Sequence, residues 1–406
     1  MAEGASRILF VGINYAPEPT GIAPYTAGMA SGLARRGHDV RVVTGYPHYP
    51  WWEVPEGYAG RRMREQVDGV PVERRRHHLP GDHGTLRRAA MEVDFGVRST
   101  FTRWGRPDVV VAVSPAMIAA RMTVARARAA RIPVVTWVQD IYTLGLVETG
   151  GSARQQGVVR AVERGLLQAS TRAVVIHDRF RSRLVQDLAV TTPIDVVRNW
   201  SHVEGADDPD RRATRASLGW ADDDVVVLHA GNMGAKQGLE NVVDASRLAS
   251  DRRSRVRFVL LGGGNQAESL RRRDPNDRLQ IVDPLPDGEF ERALGAADVL
   301  LVNELPGLTE MSVPSKLTTY YATGLPVLAA VGPASTTALE VGLSGGGVVV
   351  PAGDPAALLG AAESLGSDPG RAAALGAAGG EFRRRHLTEA AALDAFEQTL
   401  SRAVGA

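Results

Sequence analysis

Short, near-continuous apolar runs recur along this chain, separated by longer stretches in which alanine, leucine and valine return at helical spacing. Runs of the first kind occupy residues 8–12, 39–44, 109–113, 134–138, 173–176 and 194–197, and then 225–229, 256–261, 279–282, 299–302, 326–330 and 348–350. A strand with one wet face alternates in polarity, whereas a strand covered on both faces stays apolar throughout. The pattern therefore predicts parallel sheets flanked by helices, among them helices at 117–130 and 157–169. Residues 8–44 read as a complete βαβ unit: strand, the loop NYAPEPTG, a helix through Ala30, Leu33 and Ala34 that stops at Arg36-Gly37, and a second strand.

The series appears twice, and 406 residues exceed what one core usually serves. The polar segment 201–220 lacks strand periodicity and reads as the linker. The expected organisation is an N-terminal Rossmann-like domain at 1–202 and a second at 203–386. A terminal helix at 387–406 carries Leu393, Phe396 and Leu400 on one side; it either closes the second domain or crosses back to the first. Ligands of open α/β sheets gather beyond the carboxyl ends of the strands. Two such domains facing across a cleft would hold the chemistry between them.

Composition narrows the classes. A formal net charge of +1 argues against a general nucleic-acid binder, although arginines outnumber acids between residues 61 and 106, which predicts a local electropositive surface. Cysteine is absent, which excludes disulfides, zinc thiolates and cysteine nucleophiles. No apolar stretch has the length of a membrane span or of a secretion signal. A cytoplasmic chain is expected, with the inner face of a membrane as a candidate location.

The most telling stretch is GNMGAKQGLENVVDA, Gly231 to Ala245, directly after the strand VVVLH. It reads as strand, glycine turn and helix, with Gly231, Asn232 and Gly234 in the turn. Lys236, read in the first helical turn, opposes the helix dipole unless an anion sits there. Gly263, within the triplet that ends VRFVLL, would neighbour that turn if the two strands pair. In the segment 304–330, Ser315 is a candidate helix cap and Lys316 a second positive locus, while Glu310 is either a ribose ligand or a surface acid. In the first half, Gly21 closes a proline-rich loop that is not GxGxxG, and no acid ends the second strand where a nicotinamide enzyme would hold ribose. Gln139 and Asp140 end the strand in TWVQDIY, placed either to meet a sugar hydroxyl and positive charge at an anomeric carbon or to make a local turn. The aromatic stretch 45–58 suits a sugar, a lipid-linked acceptor or simple packing. His77, His78, His202 and Asp222–Asp224 show no metal-ligand spacing.

NYAPEPTGIAPYT, VQDIY, GNMGAKQGLE and PSKLTTYYATGLPV together resemble the retaining glycosyltransferases of family four, with the two-Rossmann-domain GT-B fold, and more closely the bacterial colanic-acid fucosyltransferase type. The resemblance implies transfer of a hexose-like unit from a UDP-, GDP- or dTDP-linked sugar to a small-molecule or lipid-linked glycan acceptor, with no cofactor and no metal. It implies donor binding through Gly231, Asn232, Gly234, Lys236, Gly263, Glu310, Ser315 and Lys316, with Gly21 lining the site and Gln139 and Asp140 as catalytic candidates. Four positions depart from the family pattern: Asn232 stands where many relatives have arginine, Gln237 where many have lysine, and Met311 and Thr319 where two glutamates are usual. Many relatives also have histidine at the end of the strand where this chain has WVQD. A nucleotide-sugar 2-epimerase and a non-catalytic sugar-nucleotide-binding protein are the competing readings.

Overall fold

The computed structural model describes residues 5–19, 21–79, 85–143, 152–200, 210–273, 275–286, 288–307 and 315–405. They fall into two compact units, Met1–Trp200 with Glu389–Ala406, and Ser201–Thr388.

The first unit is built on strands β1 (Arg7–Val11), β2 (Asp39–Gly45), β3 (Arg62–Val67), β4 (Val70–Arg75), β5 (Val109–Val113), β6 (Val134–Val138), β7 (Arg172–Val175) and β8 (Ile194–Val196), in the order β3-β4-β2-β1-β5-β6-β7-β8. Strand β1 lies between β2 and β5, pairing Ile8 with both Val40 and Val109. Chain order reverses there, which marks a topological switch point. The sheet is mixed rather than wholly parallel, because β3 and β4 form an antiparallel hairpin at one edge. Asp68 and Gly69 turn it with φ of 50° and 80°, the positive pair that a two-residue turn between right-twisted strands requires.

The helix Ala23–Arg35 presents two glycines to its neighbours. A Cβ on Gly32 would stand 2.7 Å from Leu393, and one on Gly28 would stand 2.8 Å from Trp200. That smoothness lets the terminal helix Glu389–Val404 lie close, with Phe396 stacked on Phe10 at 6.2 Å and tilted against Trp137 at 5.1 Å. Leu393, Phe396 and Leu400 are buried in the first unit's core, each worth about 1.5–3 kcal/mol relative to exposure. Arg36 adds ion pairs to Asp394 and Glu397 at 2.7 and 2.6 Å.

The second unit holds β9 (Val225–Ala230), β10 (Val256–Leu261), β11 (Leu279–Val282), β12 (Val299–Asn303), β13 (Val327–Val331) and β14 (Gly347–Pro351), ordered β11-β10-β9-β12-β13-β14. Every pairing is parallel, and the switch point falls between β9 and β12. Of the segment read as linker, 201–209 lies outside the described residues. Residues Arg211–Leu218 are instead a helix, capped by Asp210 and closed by Gly219 at φ 74°. Arg215 is buried against Asp298 at 3.1 Å, and Trp220 donates to Gln280 at 2.8 Å, so the segment packs into the second unit's core. The polar composition of this helix hides one inward arginine, which is why it reads as linker.

Candidate functional site

Strands β9 and β10 pair in register to their ends, Ala230 opposite Leu261, so the two glycine turns are neighbours. Gly262 and Gly264 have φ of 133° and 143°, and a Cβ on either would stand 2.2 Å from the Gly231 carbonyl oxygen or 2.5 Å from that of Met233. Only glycine permits this approach. The turn is cross-tied: Gly231 N–H donates to Leu261 O at 2.8 Å, Met233 N–H to Gly263 O at 2.7 Å, and Gly234 N–H to the Gln237 side chain at 3.0 Å. The backbone N–H groups of these three residues are therefore already spent on the protein itself. The exposed Asn232 carries its Oδ1 to within 2.7 Å of where a Cβ on Gly264 would be, so it closes over the second glycine turn.

Lys236 belongs to a 3-10 turn, Ala235–Gln237, and not to the first turn of the following helix, which begins at Glu240. Gly238, left-handed at φ 53°, separates the two. Asn303 at the end of β12 holds this turn in place, donating to the carbonyls of Gln237 and Gly238 at 2.7 and 2.9 Å and accepting from Asn241 at 2.8 Å. Lys236 is exposed.

Lys316 is differently situated. It lies on the helix Ser315–Tyr320, one turn from Tyr320, and residues four apart share a helical face. Tyr320, buried, receives the Ala230 N–H on its hydroxyl at 2.9 Å and so fixes the helix beneath the end of β9. The same face brings Lys316 Nζ within 2.8 Å of His229 Nε2. Gly231 makes room for it, since a Cβ there would stand 3.3 Å from Lys316 Cε. Burial pulls the Lys316 ammonium down to about 7. Burial, and then the charge of Lys316, pulls His229 down to about 3, so the imidazole is neutral and accepts from the ammonium. Among the described residues no carboxylate lies within ion-pairing distance of Lys316. A part-buried cation with no carboxylate partner among the described residues is stabilised by an anion that joins it. Of Ser315 only the backbone is described, and Glu310 lies outside the described residues, as do Met311 and Pro314.

In the first unit Gly21 has φ 69°, with the Tyr49 ring 3.5 Å from where its Cβ would be. Glu18, buried, accepts the His48 and Tyr49 amides at 2.8 and 3.0 Å and the Asn14 side chain at 2.9 Å, tying the loop after β1 to the aromatic stretch. Gln139 is buried in a reciprocal amide pair with Asn199 at 2.8 and 3.2 Å, so it braces the ends of β6 and β8. Asp140 is exposed beside it. The buried Glu163 carboxylate holds the next turn by the amides of Tyr142 and Thr143 at 2.9 and 3.2 Å. His177 caps the helix Asp178–Gln186, accepting the Arg179 N–H at 3.0 Å, and Arg198 meets Asp178 at 3.3 Å. No group of three or more His, Asp or Glu side chains suited to a metal ion occurs among the described residues.

The structure thus gathers Gly231, Asn232, Gly234, Gly263 and Lys316 at one switch point, with Lys236 in the adjoining turn. It adds His229, Asn303 and Tyr320, which sequence reasoning missed. The signal for His229 was present: a histidine inside an otherwise apolar parallel strand needs a polar partner.

Comparison with known proteins agrees in kind. Residues 20–200 match the glycosyl transferase 4-like domain family and residues 224–368 the glycosyl transferases group 1 family. The putative colanic acid biosynthesis glycosyl transferase WcaI of Escherichia coli (strain K12) is 31% identical over 334 residues, 78% of this chain and 81% of that one. Among solved structures, sucrose-phosphate synthase from Thermosynechococcus elongatus superposes with a TM-score of 0.75 at 16% identity, over 99% of this chain and 100% of that one. Anabaena HepE in complex with UDP gives 0.71 at 14% identity, over 97% and 99%. These likenesses establish a shared fold of two Rossmann-like domains, GT-B.

Proposed function

The chain belongs to the GT-B glycosyltransferases of the glycosyl transferase 4-like and group 1 families, and on that premise we propose that it is a retaining, metal-independent hexosyltransferase. It moves a sugar from a nucleoside-diphosphate donor to a hydroxyl of a glycan acceptor, small or lipid-linked. The observation that carries the reading is Lys316: a part-buried ammonium at the β9–β12 switch point, beside Gly231, facing a neutral imidazole and with no carboxylate in ion-pairing distance among the described residues, supplies the positive charge that a leaving diphosphate needs. Asn232 and Lys236 rim the same turn, next to Gly263 at the end of β10. The resemblance to HepE, solved with UDP, supports a donor of this class.

In the reaction the bond between the anomeric carbon and the phosphate oxygen breaks as the acceptor oxygen bonds to that carbon on the same face. The acceptor proton passes to the departing phosphate oxygen. Lys316 opposes the charge that grows there. Asp140, exposed beside the braced Gln139, is the first-unit candidate for orienting the sugar.

Incubating the protein with a panel of UDP-, GDP- and dTDP-sugars, with and without soluble and lipid-linked acceptors, tests this directly. Acceptor-dependent glycoside with the donor's anomeric configuration, read by NMR, is expected. Isomerisation of the sugar nucleotide without acceptor, or inversion at the anomeric centre, overturns it.

A further inference from the structure

Of the 47 lysines and arginines in this chain only two are lysines, Lys236 in the turn after β9 and Lys316 on the helix after β12. Every other cationic position of that kind is arginine, so a positive charge alone does not call for lysine here. The difference between the two is chemical: a guanidinium stays protonated throughout the physiological range, whereas an ammonium can shed its proton and become a nucleophile.

The surroundings of Lys316 suit the nucleophilic form. His229 Nε2 accepts an N–H from Nζ at 2.8 Å, and its imidazole, pulled well down by burial, is neutral and fixes the amine without charging it. Gly231 puts no side chain in the way, since a Cβ there would stand 3.7 Å from Nζ. Burial lowers the ammonium to about 7, so roughly three-quarters of it is amine at about pH 7.5, against about one-thousandth for a lysine at its ordinary value. The weaker base is also the slower nucleophile, by about fiftyfold for a Brønsted slope near 0.5, as for thiols. The neutral fraction outweighs that loss, leaving a gain of about tenfold before any reagent is steered to the site.

The anion position beside Lys316 decides which electrophile reaches Nζ. An acyl phosphate carries its reactive carbonyl one oxygen away from phosphorus, so its phosphate, docked where the leaving diphosphate docks, presents the carbonyl carbon to the amine. A coenzyme A thioester carries its diphosphate at the far end of a long arm and is not presented in that way. In the step, the Nζ lone pair bonds to the carbonyl carbon and the bond from that carbon to the phosphate oxygen breaks. The electron pair and the amine proton leave together on that oxygen as hydrogen phosphate. The product is an uncharged amide, which no longer opposes a diphosphate.

We propose that Lys316 is a covalent acylation site for acyl phosphates, and that acylation of Nζ closes the donor site. The proposal rests on the reading above only in placing an anion beside Lys316. Incubating the full chain with acetyl phosphate at about pH 7.5 and following both lysines by peptide mass spectrometry tests it, with exposed Lys236 as the comparator in the same molecule. Lys316 is expected to acetylate about tenfold faster than Lys236 or more, to be protected by saturating inorganic diphosphate, and to show a smaller ratio to Lys236 with acetyl-coenzyme A. The acetylated chain should bind inorganic diphosphate about ten- to a hundredfold more weakly by calorimetry, as should Lys316→Gln, while Lys316→Arg treated alike should keep its own affinity. A Lys316 rate no greater than that of Lys236, a rate that diphosphate leaves unchanged, or equal ratios for the two reagents overturns the proposal. The masses are read without turnover. Selective, diphosphate-blocked acetylation of a chain that transfers no sugar would therefore uphold the proposal and defeat the transferase reading; transfer without selective acetylation would do the reverse.

Discussion

If Lys316 receives the donor diphosphate, donor affinity must follow its protonation. Burial sets the ammonium at about 7 in the free protein. Only the charged form opposes the diphosphate, so the apparent dissociation constant is the intrinsic one divided by the protonated fraction. The sign is fixed: the fraction is nearly complete at pH 6, about one-half at pH 7, and about one-hundredth at pH 9, so affinity falls across that range toward that of a neutral side chain, about ten- to a hundredfold weaker. The donor's diphosphate diester does not titrate there, whereas its base begins to lose a ring N–H near pH 9, so isothermal titration calorimetry with the donor identified by turnover isolates the protein's contribution once the Lys316→Met series is subtracted. Lys316→Arg, charged at every pH in the series, should flatten the profile. Lys316→Met should weaken binding at pH 6 by about ten- to a hundredfold, the worth of a charge-assisted bond of roughly 1.5–3 kcal/mol. Equal donor affinity at pH 6 and pH 9, together with unchanged affinity in Lys316→Met, would refute the reasoning.

Three further outcomes follow from named contacts. His229→Phe removes the acceptor 2.8 Å from the ammonium; losing about 1.4 kcal/mol should move the midpoint of the donor-affinity profile down by about one pH unit, measured by the same titration. Gly231→Ala forces a Cβ onto φ 114° and to 3.3 Å from Lys316 Cε, so it should cost about 1–3 kcal/mol in urea denaturation and weaken the donor more than the acceptor. Phe396→Ala opens a cavity between Phe10 and Trp137; a loss of about 3–5 kcal/mol is expected in the unfolding of the first unit.

Strands covered on both faces announced themselves by near-continuous apolar runs, which is why 109–113, 134–138 and 256–261 read correctly from residues alone. The hairpin β3–β4 did not, because an edge strand such as Arg62–Val67 keeps charged residues that hide its alternation, although Asp68-Gly69 carried the turn signal. At the site, glycine spacing located Gly231, Gly234 and Gly263, and register then made them neighbours. What spacing could not convey was occupancy: whether an amide near Gly231 is open or already bonded to β10 depends on pairing across residues thirty apart. The Lys316–His229 contact spans 87 positions and is legible only once Tyr320 has fixed its helix under β9.

The helix Glu389–Val404 completes a hydrophobic core begun at Arg7, with the whole second unit threaded between. During synthesis, then, the groove over Phe10, Trp137 and the two helix glycines stays uncovered until residues 389–404 leave the ribosome. The second unit, contiguous in the chain, can fold while the first still waits. Termination before Glu389 would therefore spare the later-made unit and leave the earlier one unfinished.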